Sequence, residues 1–106
     1  AGQGYGFALT DFAFVSEAHV NIDRPARYAK QLASHMGHKV PFEKVGENYE
    51  AKFGETVGVL EPGTDILVMR VSGATQDDLS GPQFALEKHL RKFASDQELT
   101  IEWKLV

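Results

Sequence analysis

Apolar and polar positions alternate early in the chain. Ala18, Val20 and Ile22 fall on one face, and Glu17, His19 and Asn21 on the other. A period of two belongs to a strand with one buried face, and it predicts a first strand over Ala13 to Ile22. The period then changes. Tyr28, Leu32 and Met36 recur every four residues, with Ala29 and Ala33 beside them. That spacing gathers an apolar stripe along one side of a helix. Asp23-Arg24-Pro25 supplies the start, because Asp is a favourable N-cap and Pro lacks an N–H that the first turn leaves unpaired anyway. Gly37 supplies the stop, as a residue free to take positive φ.

Short strands follow. Val40 to Val45 is one, with Pro41 marking an edge or entry point. Tyr49, Ala51 and Phe53 alternate with Glu50 and Lys52 in the next. Thr56 to Leu60 forms another, and Ile66 to Val71 is the most apolar, as expected of a central strand. Gly46-Glu47-Asn48, Gly54 and Glu61-Pro62-Gly63-Thr64 are the turn signals between them. Thr75-Gln76-Asp77-Asp78 resembles a second helix start, with acids suited to the positive end of the helix dipole. Gly81-Pro82 is expected to interrupt it, leaving one loose turn and then a regular helix from Pro82 to Ser95. Its stripe is Leu86, Leu90 and Phe93, and Phe84 points away. A last strand runs from Leu99 to Val106, with Leu99, Ile101, Trp103 and Leu105 opposed to Thr100, Glu102 and Lys104.

The order is β-α-β-β-β-β-α-β. Four consecutive strands on short turns predict an α+β two-layer sandwich, a mostly antiparallel sheet with two helices on one face. Leu32, Leu67, Met69, Leu86, Leu90, Phe93, Ile101 and Trp103 should form one core between the layers.

Length changes little in this picture. The 106 residues fit one domain over residues 12–106, preceded by a Gly-rich, flexible N-terminal extension over residues 1–11. Gly2-Gln3-Gly4 is no phosphate loop, since no strand precedes it and no Gly-Lys-Ser/Thr follows. The chain opens on Ala1 rather than Met, as a processed or trimmed start would. The absence of cysteine excludes disulfides, thiolate metal sites and a thiol nucleophile, and fits a cytoplasmic location. A net charge of −4 with no Lys/Arg cluster argues against nucleic acid. No apolar run reaches the roughly 20 residues of a membrane span, and no charged-then-apolar secretory pattern opens the chain.

Candidate chemistry rests on histidine. Ser34-His35-Met36-Gly37-His38 places two imidazoles at the exit of the first helix, and His89 flanks the stripe of the second. Imidazole is both a proton-responsive group and a common metal ligand. Three readings stay open. His35, His38 and His89 bind a divalent metal, with Glu43 or Glu87 supplying an oxygen. Alternatively His35 and His89 are mostly buried, packing and hydrogen-bonding at a helix–helix seam. Or all three line a small-ligand pocket. Arg24 and Arg27 are candidates for an anionic ligand, against the alternative of ion pairs with Asp23 and nearby glutamates. His19 reads as a solvated surface residue. Ser34 adjoins His35, so their side chains diverge by about 100° on a helix, and no triad follows.

Two segments carry a family resemblance. Asp23-Arg24-Pro25-Ala26-Arg27-Tyr28-Ala29-Lys30-Gln31-Leu32, with Ser34-His35 and His38-Lys39-Val40, is the first. His89-Leu90-Arg91-Lys92-Phe93-Ala94 followed by Leu99-Thr100-Ile101-Glu102-Trp103 is the second. Together they resemble the bacterial family known as domain of unknown function 2218, over roughly residues 16–104. The chain departs from that pattern at Gly81-Pro82 and Phe84, where the family has an unbroken, more polar helix. The resemblance implies a non-enzymatic binding or accessory module, possible in iron and siderophore handling because similar domains accompany siderophore-interacting flavoproteins. A flavoprotein partner or a homodimer is what it implies for assembly. The other reading is a dimerisation module without a ligand, built on the sheet face bearing Glu17, His19, Thr100 and Glu102.

Overall fold

Six antiparallel strands form one sheet in the order β2-β3-β4-β5-β1-β6, and two helices pack on it. The structure, a computed structural model, describes residues 12–106, so the N-terminal extension expected over residues 1–11 lies outside the described residues. In chain order the elements are β1 (Phe14–Asn21), α1 (Pro25–Met36), β2 (Phe42–Val45), β3 (Asn48–Phe53), β4 (Thr56–Pro62), β5 (Ile66–Gly73), α2 (Asp77–Phe93) and β6 (Lys104–Leu105). The expected α+β order and the central place of β5 are both present.

Local chemistry explains the meander. Val45 pairs with Asn48 and Phe53 with Thr56, so the β2–β3 and β3–β4 connections are two-residue turns. Gly46 and Gly54 open them at φ of 63° and 65°. Glycine at the first central position is the type II′ pattern, whose twist matches the flanking strands.

Alternation then sorts the side chains. Ala18 and Val20 of β1, Leu60 of β4, and Leu67, Met69 and Val71 of β5 are buried beneath the helices, where they meet Leu32 of α1 and Leu79, Leu86 and Leu90 of α2. Of the expected core, Leu32, Leu67, Met69, Leu86 and Leu90 are fully buried. Phe93, Ile101 and Trp103 are only partly buried and pack against its margin. Phe84 is 68% exposed, as its position on the helix wheel requires.

Four details differ from the sequence expectation. Asp23 does not cap α1. Arg24 takes the capping position in the left-handed region, at φ 55°, with no side-chain cap, and the Asp23 N–H donates instead to Gln97 Oε1 at 3.0 Å. Gly37 stays right-handed at φ −60°. Its need for glycine is steric, because a Cβ there would lie 2.8 Å from the Ala33 carbonyl oxygen.

Gly81-Pro82 does not interrupt α2, which runs continuously from Asp77. Pro82 removes the N–H that would have met the Asp78 carbonyl, and that carbonyl accepts the Thr56 hydroxyl at 3.5 Å instead. The helix starts where Thr75 suggested, with the Asp78 N–H donating to Thr75 Oγ1 at 3.2 Å. Finally, of the strand expected over Leu99 to Val106, only Lys104–Leu105 joins the sheet. No helix among the described residues is long and apolar enough to cross a membrane.

Candidate functional site

The last turn of α1 continues past its formal end. The Gly37 N–H donates to Ala33 O at 2.9 Å, and the Lys39 and Val40 N–H groups both return to Met36 O at 3.0 and 2.8 Å. Residues 35 and 38 therefore keep helical spacing and share a face. α2 passes alongside, and its His89 ring comes within 5.1 Å of the His35 ring, centroid to centroid. Phe93, one turn later on α2, meets His35 edge-on at 5.2 Å.

The three histidines line one cavity of about 410 Å³. Met36, Val40, Ala85 and Phe53 give it an apolar wall. Phe53 can lie there because residue 58 is glycine: a Cβ at Gly58 would sit 2.8 Å from Phe53 Cε1. Phe42 braces the same ring edge-on at 6.2 Å. His35 and His38 also border an adjoining open groove of about 530 Å³, with Arg27, Lys30 and Ser34 on its other side. Among the described residues no carboxylate lines either space, although the chain as a whole is net negative.

The expected burial holds only in part. His89 is half-buried, and its Nδ1–H donates to the Ala85 carbonyl at 2.7 Å. That bond fixes the tautomer and leaves Nε2 to a ligand. His35 is exposed rather than buried, as is His38. It sits on the outer side of the last α1 turn, one step round from the buried Leu32 and Met36.

Among the described residues no group of three His, Asp or Glu side chains is arranged to hold a metal ion. Glu87, one of the two expected oxygen donors, is engaged elsewhere: it pairs with Arg91 at 3.2 Å and accepts from Trp103 Nε1 at 3.2 Å. Glu43 is exposed on β2. Arg24 and Arg27 do not converge. Arg24 lies against Asp23 at 3.6 Å with both side chains mostly in solvent, whereas Arg27 borders the groove.

A second polar constellation escaped the sequence reading. On the open face of the sheet, Arg70 of β5 donates Nε to Glu17 Oε2 at 2.6 Å. Its Nη1 and Nη2 fork onto the two oxygens of Glu61 at 2.7 and 3.1 Å. His19 Nε2 reaches the other Glu17 oxygen at 2.8 Å. The bond to His19, and then those to Arg70, hold the Glu17 carboxyl below the usual carboxylate range, although partial burial pulls the other way. The Glu61 carboxylate in turn holds Arg70 firmly protonated. The signal was the register: Glu17 faces Arg70 directly, and Glu61 faces the neighbouring Val68.

A pH dependence follows. A carboxyl whose folded pKa is depressed contributes stability that is complete above its unfolded value and is lost as pH falls through the folded one. Glu17→Gln should cost about 1 kcal/mol at pH 7. The difference from the parent should shrink as pH falls below about 4.3, where free glutamate takes up its proton. Urea unfolding at pH 7 and pH 3 measures it. A difference that stays constant or widens in acid would remove Glu17 from this role.

With the fold and cavity in view, comparison with known proteins places the chain. Residues 17–104 match the family described as an uncharacterized protein conserved in bacteria (DUF2218). The chain belongs to this family. Its structure is similar to that of PA4090 from Pseudomonas aeruginosa, solved by NMR, with a TM-score of 0.74 and 31% identity. That match covers 86% of this chain and 95% of PA4090. No curated protein matches. DUF2218 membership thus accounts for the fold.

Proposed function

We propose that this DUF2218 domain is a non-enzymatic binding module of the bacterial cytoplasm. Its ligand is a small anion with apolar arms, held in the cavity between the exit of α1 and the middle of α2. One observation carries the reading: His35, His38 and His89 line a single cavity with an apolar wall, and the adjoining groove adds Arg27 and Lys30 with no carboxylate among the described residues. Binding sites of this kind use apolar walls for area and a few placed polar groups for orientation.

The sequence resemblance ties such domains to siderophore-interacting flavoproteins. An anionic iron chelate is therefore the first ligand to test, with the flavoprotein as the partner to receive it. The other reading, a dimerisation module, would want a continuous apolar patch. The exposed large hydrophobics among the described residues sit instead on three elements: Val45 on β2, Phe84 on α2, and Leu105 and Val106 at the C-terminal strand.

NMR titration of the untagged chain with a gallium(III) tris-catecholate, a diamagnetic stand-in for the ferric complex, tests the proposal. The imidazole signals of His35, His38 and His89 should shift together. Arg27→Ala combined with Lys30→Ala should weaken binding about tenfold through lost charge. Unmoved histidine signals at millimolar chelate, with native mass spectrometry of the untagged chain showing no bound small molecule, would remove the ligand reading. A dimer in those same spectra would favour the interaction module.

A further inference from the structure

The last strand of the sheet stops early. β6 pairs with β1 only through Ser16 with Leu105 and Glu17 with Lys104, and the Val106 N–H donates to Val15 O at 2.9 Å. Residues 99–103 carry the alternation of a strand but do not continue that ladder. They are tied to α2 instead. Arg91 Nη1 donates to the Leu99 carbonyl at 3.1 Å, and Trp103 Nε1 donates to Glu87 at 3.2 Å. Glu87 and Arg91 are themselves paired one helical turn apart. The clamp ties both ends of the segment to the helix.

An open strand edge results. The Ile22 N–H reaches Asp65 O, so even-numbered residues of β1 turn their backbone toward β5. Val15 accepts from Val106 on the opposite side, so odd-numbered residues turn theirs toward the C-terminal segment. The N–H and C=O groups of His19 and Asn21 therefore face outward. Among the described residues no strand pairs with them there. Beside them lies a cleft of about 530 Å³, lined by His19, Asn21, Thr100, Glu98 and Glu102, with Lys104 of β6 as its one basic residue besides His19 among the described residues. Glu98 and Glu102 have no ion-pair partner among the described residues, whereas Glu17 on the same cleft is taken by Arg70.

From this geometry we infer that the β1 edge takes an extended peptide bearing Lys or Arg, bound in the cleft as an added strand on His19 and Asn21. Main-chain hydrogen bonds to an exposed edge supply affinity in this mode of recognition, and alternate side chains supply specificity. Every second side chain of the guest would lie on the outer face, where Glu98 and Glu102 favour a cation. Charge argues against a second copy of the chain, since symmetric pairing through this edge sets Glu98 and Glu102 against their own counterparts.

The test uses the 15N-labelled chain and two synthetic octapeptides, one alternating Lys with Val and one alternating Glu with Val. In the free chain the His19 and Asn21 amides should exchange with solvent faster than those of Ala18 and Val20. Saturating Lys-Val peptide should slow them about tenfold, and the Glu-Val peptide should not. Glu98→Lys with Glu102→Lys should weaken the Lys-Val peptide about tenfold. Asn21→Pro, which removes an outward N–H and none of those facing β5, should abolish the protection. If that variant fails to fold, the charge reversal decides. Three results would overturn the inference: His19 and Asn21 amides as protected as Ala18 and Val20 in the free chain, equal binding of the two peptides, or protection that grows with protein concentration alone. The first would mean that residues 99–103 close onto β1, and the last would assign the edge to a second copy.

Discussion

Leu90→Ala should lower the stability of the domain by about 3 kcal/mol, within the range for a fully buried leucine that leaves a cavity. Leu90 is completely buried beside Leu86 on the core face of α2, in one cluster with Leu32 and the sheet residues Leu67 and Met69. In a domain of this size that loss shifts the melting temperature by about 15 °C. The control lies on the same helix. Phe84 is 68% exposed, with the Lys88 ammonium 5.9 Å from its ring centroid. Phe84→Ala should therefore stay within about 0.5 kcal/mol. Urea unfolding of both variants checks the register of α2 against the core. Similar effects for the two, or a loss below about 1 kcal/mol for Leu90→Ala, would mean that the helix is rotated from the arrangement described.

That register was legible in the sequence because burial imposes a period. Leu86 and Leu90 are spaced as an apolar stripe requires, and β1 and β5 alternate as half-buried strands must. The details that were not legible depend on single long-range partners. Pro82 reads as a helix breaker, since nothing nearby shows that a hydroxyl from Thr56, far back in the chain, meets the orphaned Asp78 carbonyl. Asp23 reads as a cap until Gln97, from beyond α2, takes its N–H. Residues 99–103 read as a strand because alternation reports which side chains are buried. It does not report which element supplies the backbone partners, and here Arg91 and Glu87 of α2 hold the segment.

The candidate site divides the same way. The meeting of His35, His38 and His89 at one cavity was foreseeable from two helices sharing one face of a sheet, each carrying histidine beside its stripe. Helical geometry persisting through Gly37 was the condition for His38 to take part, and φ −60° meets it. The exposure of His35 was not foreseeable, because a residue at the border of a stripe is buried or not according to how far the neighbouring helix overhangs it. The separation of Arg24 from Arg27 follows from the left-handed turn at Arg24, which no local signal announces.

Arg70→Met should destabilise the domain by about 2 kcal/mol, between the values for exposed and fully buried ion pairs. Arg70 bridges Glu17 and Glu61, and its side chain is 20% exposed. Methionine keeps most of the aliphatic volume but leaves two partly buried carboxylates facing each other across β5. The cost therefore comes mainly from uncompensated charge rather than lost packing. Restoring neutrality separates the two contributions. Glu61→Gln in the Arg70→Met background should recover about 1 kcal/mol, whereas a packing defect would be unmoved by it. Chemical unfolding of the three chains at pH 7 measures both effects. If Glu61→Gln rescues nothing at pH 7, the Arg70 fork is a solvated surface contact with no share in holding β1, β4 and β5 together.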